Sequence, residues 1–268
     1  MTRRGLAVQK RQRLVGGRSN QVFQLGATVL KVYNPVRANP LFANDPQREA
    51  LMLRCLDDTG LVPRFVNAGL DAGLHWIEYA HVSGTPWHSG AGQVAQILAK
   101  LHRQKIAIDL PKGANGSADL EAQTEVILAA CQTDPGLGTL RPRCPVAPLD
   151  TCALIHGDPV PGNILVASPQ WRLIDWQCPV WGDPAEDLAV FLSPSMQFLY
   201  RGAVLSAAEE QEFLSAYPDP NVMSRYLTLR PWFHWRMAAY CAWRAEKGAA
   251  ADRQALSLEV AKLRSLSA

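Results

Sequence analysis

His156-Gly157-Asp158-Pro159-Val160-Pro161-Gly162-Asn163, followed at a short distance by Leu173-Ile174-Asp175-Trp176, is the stretch on which the reading of this chain turns. It brings a carboxylate, a carboxamide and a second carboxylate into two segments bounded by apolar residues. Phosphoryl transfer asks little covalent chemistry of a protein. It needs the transferred group held in line, its charge neutralised, and the attacking hydroxyl oriented. Asp158 suits the last task. Asn163 and Asp175 offer hard oxygen donors of the kind Mg²⁺ takes alongside phosphate oxygens. The residues between them, Ile164–Val166 and Trp171–Ile174, read as a short hairpin that would return both donors to one edge of a site.

Working outward, Asp183-Pro184 reads as a helix N-cap followed by a first-turn proline, and Asp187 falls one turn later. From Asp183 onward the pattern is helical, with Ser206-x-x-Glu209 as a capping box. Upstream, Gln93–His102 and Ala118–Cys131 read as helices, the latter with Ser117 as N-cap, and the proline-rich stretch 133–148 reads as a loop. The first eighty residues read instead as strands around one helix. Gln21–Leu25, Thr28–Tyr33, Arg64–Ala68 and His75–Tyr79 are the strands, and Asp45-Pro46 opens the helix, which runs to about Leu56. On that helix Glu49 shares a face with Met52, Leu53 and Leu56, and a glutamate on an apolar face wants a cation. Lys31, between apolar neighbours on its strand, is the candidate partner; a lysine facing water from an edge strand is the plain alternative. Gly16-Gly17 lets backbone amides approach a phosphate without a Cβ in the way, although the same pair also makes an ordinary hairpin turn.

Taken together, H-G-D-x-x-x-x-N and I-D-W resemble the catalytic loop and metal-binding aspartate of aminoglycoside phosphotransferases, choline kinases and thiamine kinases. Gly182-Asp183-Pro184-Ala185-Glu186-Asp187-Leu188-Ala189 resembles the same family's G-D-P-x-x-D-L-A segment. Leu14-Val15-Gly16-Gly17-Arg18-Ser19-Asn20-Gln21-Val22-Phe23 is similar to its L-x-G-G-x-x-N-x-x-F start. Where many relatives have Leu and His after the aspartate, this chain has Pro159 and Val160. The resemblance implies an α+β, protein kinase-like fold. Residues 1–79 would form a β-rich nucleotide-binding lobe, 80–84 a hinge, and 85–268 a helical catalytic and acceptor-binding lobe. It implies ATP and Mg²⁺ as cofactors, Asp158 as the hydroxyl-orienting base, and Asn163 and Asp175 as metal ligands. Gly16, Gly17, Asn20, Lys31 and Glu49 would serve the nucleotide, with backbone groups near Glu78 and Ala80 at the adenine. His156, Asp183 and Asp187 would be structural supports, Asp187 through the catalytic-loop backbone. His102 reads as a packed or capping histidine.

The acceptor is implied to be a small molecule carrying a hydroxyl, with choline-, ethanolamine- or thiamine-like amino-alcohols favoured over aminoglycosides and sugars. Trp232 and Trp235, three residues apart on one helical face, are similar to a W-x-x-W in choline kinases that holds a quaternary ammonium by cation–π attraction. Trp176 could add another wall. A tryptophan stripe that simply packs two helices is the competing reading. No acidic cluster of the sort a polycationic aminoglycoside needs stands out. All of Lys31, Glu49, Asp158, Asn163 and Asp175 are present, which favours an active kinase over a silent kinase-fold binding protein. The chain has no D-F-G or A-P-E segment, which counts against a protein substrate.

Composition fits this reading. The chain has 268 residues, 48% hydrophobic and 19% charged, enough for two lobes with a sizeable core. A net charge of +3 gives no argument for nucleic acid. The basic run Arg3, Arg4, Lys10, Arg11, Arg13 lacks the apolar segment of a secretory signal, and no apolar stretch reaches the ~20 residues of a membrane helix. Six scattered cysteines without a C-x-x-C pair read as reduced thiols in a cytoplasmic protein.

Overall fold

The computed structural model describes residues 11–14, 19–35 and 39–267. Gly16 and Gly17, and the basic residues before Arg11, lie outside the described residues. The N-terminal part is one antiparallel sheet built from β1 (Arg11–Arg13), β2 (Gln21–Leu25), β3 (Thr28–Val32), β4 (Phe65–Asp71) and β5 (Leu74–Ala80), in the order β1-β2-β3-β5-β4. Lys31 therefore sits on the central strand, opposite Val22 on one side and Ile77 on the other. Against the sheet packs α1 (Pro46–Cys55). It starts as its sequence demands: the Asp45 carboxylate accepts the amides of Gln47 and Arg48, and Pro46 takes the first turn, where its missing N–H costs nothing. Glu49, Met52 and Leu53 are buried along its inner face.

After β5 the chain leaves the sheet, and β6 (Thr85–Pro86) pairs with strands from much later in the sequence. The helical part comprises α2 (Ala91–His102), α3 (Ser117–Ala129), α4 (Pro184–Leu192), α5 (Pro194–Arg201), α6 (Ala207–Ala216), α7 (Pro220–Ala245) and α8 (Ala250–Ser267). Between α3 and α4 lie four short strands, β7 (Ala153–Ile155), β8 (Ile164–Val166), β9 (Arg172–Leu173) and β10 (Val180–Gly182). β8 and β9 form the expected hairpin, with Ile164 opposite Leu173, and β6 joins its other edge. β7 pairs with β10. These two small sheets, one of three strands and one of two, thus bracket the loop 156–163 and the segment 174–179, with β7 packed on α4. The long helix α7 is the spine of this part, packing on α3, α4 and α8. An α+β, two-lobed kinase-like architecture is the result.

Two local expectations change. The cap of α3 is Gly116, at φ 93, and not Ser117. The Ser117 hydroxyl bonds the Val146 backbone instead, accepting its amide at 2.9 Å, so it ties down the loop 133–148. That loop also contains a 3-10 turn, Leu137–Leu140. Among the described residues no helix is long and apolar enough to cross a membrane.

Candidate active site

The site begins where β7 ends. Gly157 has φ 79, and a Cβ there would meet the Cys178 carbonyl at 2.3 Å, so only glycine fits. The turn it makes aims the His156 and Gly157 amides at one carboxylate. Asp187, fully buried in the first turn of α4, accepts them at 2.8 Å each. His102, the last residue of α2, contacts the same carboxylate at 3.0 Å and is itself held by the Tyr217 hydroxyl at 2.8 Å. Asp187 thus anchors the loop through its backbone, as the sequence implied, with His102 and Tyr217 behind it. Asp183 caps α4, accepting the Ala185 amide, and its other oxygen takes Arg225 at 2.5 Å.

His156 has a defined tautomer. Its Nδ1 accepts the Asp158 amide at 3.2 Å, so its Nε2–H donates to the Ile174 carbonyl at 3.0 Å. Burial pushes its pKa down, which keeps the ring neutral. Through this histidine the loop that carries Asp158 is fastened to the strand end that carries Asp175. Asn163 closes the loop: its Nδ2 donates to the Asp158 carbonyl at 2.8 Å and to the Asp158 carboxylate at 3.2 Å. The amide nitrogen is thereby committed, which leaves the Asn163 oxygen, at the cleft, to accept a hydrogen bond or ligate a cation. Burial, with the Asp175 charge adding to it, raises the Asp158 pKa well above the ordinary carboxylate value. Asp175 adopts φ 66, a left-handed conformation that aspartate tolerates better than most residues.

From the sheet comes Lys31. Its ammonium is 2.5 Å from Glu49 and in direct contact with Asp175, so the pairing with Glu49 read from the sequence is present. Burial alone would lower the lysine pKa, but Asp175 and Glu49 outweigh it and the net shift is upward. Glu49 is pushed up by burial, against the opposing pull of Lys31. Tyr33, two residues along the same strand face, donates its hydroxyl to Glu49 and lies under the Lys31 ammonium at 4.9 Å. Period-two spacing could have flagged Tyr33; nothing in the local sequence flags Gln177, whose oxygen lies 3.4 Å from the same ammonium.

A cleft of about 420 Å³ opens beside these groups. Val22 and Val29 of the sheet face Leu165 and Ile174 across it, and Lys31, Asn163 and Asp175 line it as well. Apolar walls joined to such a polar group suit a flat heterocycle bearing phosphates. Among the described residues there is no group of three or more His, Cys, Asp or Glu that could hold a metal ion. One carboxylate and one carboxamide are instead the donor set that Mg²⁺ uses when phosphates complete its shell.

Four sequence expectations need correction. Glu78 and Ala80 do not line the cleft: Glu78 is paired within the sheet to Leu30 and Asn67, and the Ala80 amide donates to the Arg64 carbonyl at 2.8 Å. Alternation along the strand puts Tyr79 and His81, with Val82, at the cleft instead. Asn20 borders the cleft, but its side chain is spent. It donates to Asn44 and Gln177 and accepts from Asn44 and the Asn34 amide, which fills all four positions of a carboxamide. Trp176 is wholly buried, packed on His156 at 4.5 Å between ring centres, and its N–H donates to the Leu173 carbonyl. Trp232 and Trp235 form an edge-to-face pair at 6.1 Å in the core of the helical lobe. Their N–H groups go to the Cys144 and Leu137 carbonyls, both at 2.9 Å. They offer no ring face to a ligand beside Asp158. The stripe packs α7 against the loop 133–148.

No curated protein matches this sequence significantly. Solved structures do match its fold. A choline/ethanolamine kinase family protein from Mesorhizobium loti superposes with a TM-score of 0.70 at 16% identity, covering 97% of this chain and 88% of the other. The choline kinase LicA from Streptococcus pneumoniae gives 0.61 at 19% identity, covering 95% and 94%. The amicoumacin kinase hAmiN, in complex with AMP-PNP, Ca²⁺ and Ami, gives 0.57 at 16% identity, covering 95% and 87%. At these identities the likeness establishes a shared fold. The sequence profile of the phosphotransferase enzyme family matches residues 10–226, spanning the sheet, the loop 156–163 and most of the helical lobe. With the loop geometry above, this makes the chain a member of the phosphotransferase enzyme family, whose members act on small molecules.

Proposed function

We propose that this chain transfers the γ-phosphoryl group of ATP to a hydroxyl of a small molecule, with Mg²⁺ held by Asp175 and Asn163. The observation that carries the reading is the convergence of Lys31, Asp175 and Asn163 on an apolar-walled cleft, with buried Asp158 bonded to Asn163 behind it, each side chain fixed by partners of its own. The adenine would lie between Val22, Val29, Leu165 and Ile174. Lys31, steadied by Glu49, would reach the phosphates. Asp158 would accept a hydrogen bond from the acceptor hydroxyl and take its proton as the new P–O bond forms. Asp175 and Asn163 would hold the metal, which when bound would supply positive charge to offset the negative charge of the phosphates.

The acceptor we favour remains a choline-, ethanolamine- or thiamine-like amino-alcohol. The solved relatives named for choline and ethanolamine support it. No disulfide joins any of the six cysteines, which supports a reducing, cytoplasmic setting.

ADP release measured against choline, ethanolamine, thiamine, sugars and aminoglycosides tests the proposal. One amino-alcohol should raise turnover well above the acceptor-free rate. Mg²⁺-dependent nucleotide binding without turnover on any acceptor would favour a silent binding protein. Absence of both would end the proposal.

A further inference from the structure

Asn20 and Gln177 are 157 residues apart in sequence, yet the Asn20 Nδ2 donates to the Gln177 oxygen at 3.0 Å. Asn20 lies just before β2, next to Ser19, which lines the cleft. Gln177 lies two residues beyond Asp175, in the segment proposed to hold the metal. Around this bond the sheet lobe is braced from within. Asn20 pairs reciprocally with Asn44, at 2.7 and 3.1 Å, and accepts the Asn34 amide at 3.0 Å. Asn44 also donates to the Asn34 carbonyl at 3.2 Å. The neighbouring residues repeat the bridge, the buried Cys178 thiol donating to the Ala43 carbonyl at 3.1 Å. Gln177 is itself 4% exposed, so its oxygen has exchanged water for two donors from the opposite lobe, Asn20 and Lys31.

We infer that Gln177 is an interlobe latch, a positioning residue that holds the chain entering β2 against the metal-side loop through Asn20. A hydrogen bond in a buried, low-dielectric seam is costly to leave unmade. Opening of the lobes about the proposed hinge, residues 80–84, would break it, so the latch biases the chain toward the closed, nucleotide-competent form. The bracing of Asn20 by Asn44 and Asn34 makes it a fixed post. A flexible contact would not transmit the position of one lobe to the other.

The effect on nucleotide affinity rests on the kinase reading above; the latch itself does not. Hydrogen–deuterium exchange on the ligand-free protein is the first arm. Gln177→Ala should speed exchange in segments 19–35 and 41–46 while α4 and α7 stay protected. Unchanged exchange in those segments overturns the latch. Should the alanine variant misfold, Gln177→Glu keeps an acceptor oxygen at the same reach and should retain the wild-type protection; lost protection there overturns it equally. The second arm is a double-mutant cycle on AMP-PNP affinity with Mg²⁺. Gln177→Ala should weaken binding by about three- to tenfold in the wild-type background and add little to Asn20→Ala. A full effect in the Asn20→Ala background would mean Gln177 acts through Lys31 alone, and the latch would fall. If the wild-type chain binds no adenine nucleotide, the functional reading fails, and the exchange arm still decides the latch.

Discussion

Asp158 and Asp187 show how two carboxylates in one loop region come to do different things. Asp187 is wholly buried and fully used, holding two amides and one imidazole. Asp158 is buried, and its carboxylate accepts the Asn163 side-chain amide; we propose that it orients the acceptor hydroxyl. Asp158→Asn should therefore leave AMP-PNP affinity nearly unchanged while turnover falls by about 10²- to 10⁴-fold, the usual worth of a positioned general base. Equal losses of affinity and turnover, read from calorimetry and steady-state rates, would show that its role is misassigned. Asp187→Ala strands three donors in a dry interior. It should cost about 2–4 kcal/mol of stability in denaturant titration, and an unchanged midpoint would contradict the anchoring role.

At the scale of elements, α7 and α6 carry the sharper tests. If the Trp232–Trp235 pair is core, Trp235→Leu should lower stability by about 2–4 kcal/mol and leave the acceptor KM alone; the reverse outcome would restore a ligand pocket there. In α6, Arg201 first and then the Ser206 amide hold Glu209 down to about 2 from 4.5. A folded-state value below the unfolded one gives stability that is complete above pH ~4.5 and is lost as pH falls toward 2. Glu209→Gln should be less stable than wild type at pH 7, with the gap closing in acid; a gap that widens on acidification would refute the assignment. These elements also show what the sequence could and could not convey. Glu49 was legible because a carboxylate on an apolar helix face requires a cation, and Lys31 is that cation. The Ser206–Glu209 box and the Asp183 cap were legible because caps are local. The spacing of Trp232 and Trp235 correctly put them on one face, but periodicity does not say which surface that face meets. The carbonyls of Leu137 and Cys144, in a stretch readable only as loop, decided it. Asn20 was misjudged for a related reason: its partners Asn34, Asn44 and Gln177 are chosen by the tertiary fold.

In the whole molecule the two lobes meet at a polar seam, where Lys31 and Glu49 from the sheet side face Asp175 and Gln177 from the helical side. Lys31 contacting Asp175 directly is what a closed cleft presents when its two halves hold opposite charges. On the proposed function, a metal–nucleotide complex entering there would find Asp175 for its cation and Lys31 for its phosphates. We propose above all that Asp175 is the carboxylate through which a divalent metal fixes the nucleotide. Calorimetric titration of AMP-PNP into wild type and Asp175→Ala, each with and without Mg²⁺, measures this directly. Wild type should bind far more tightly with Mg²⁺ than without it, and Asp175→Ala should show no such difference. A variant whose affinity still rises with Mg²⁺ as steeply as wild type would contradict the claim.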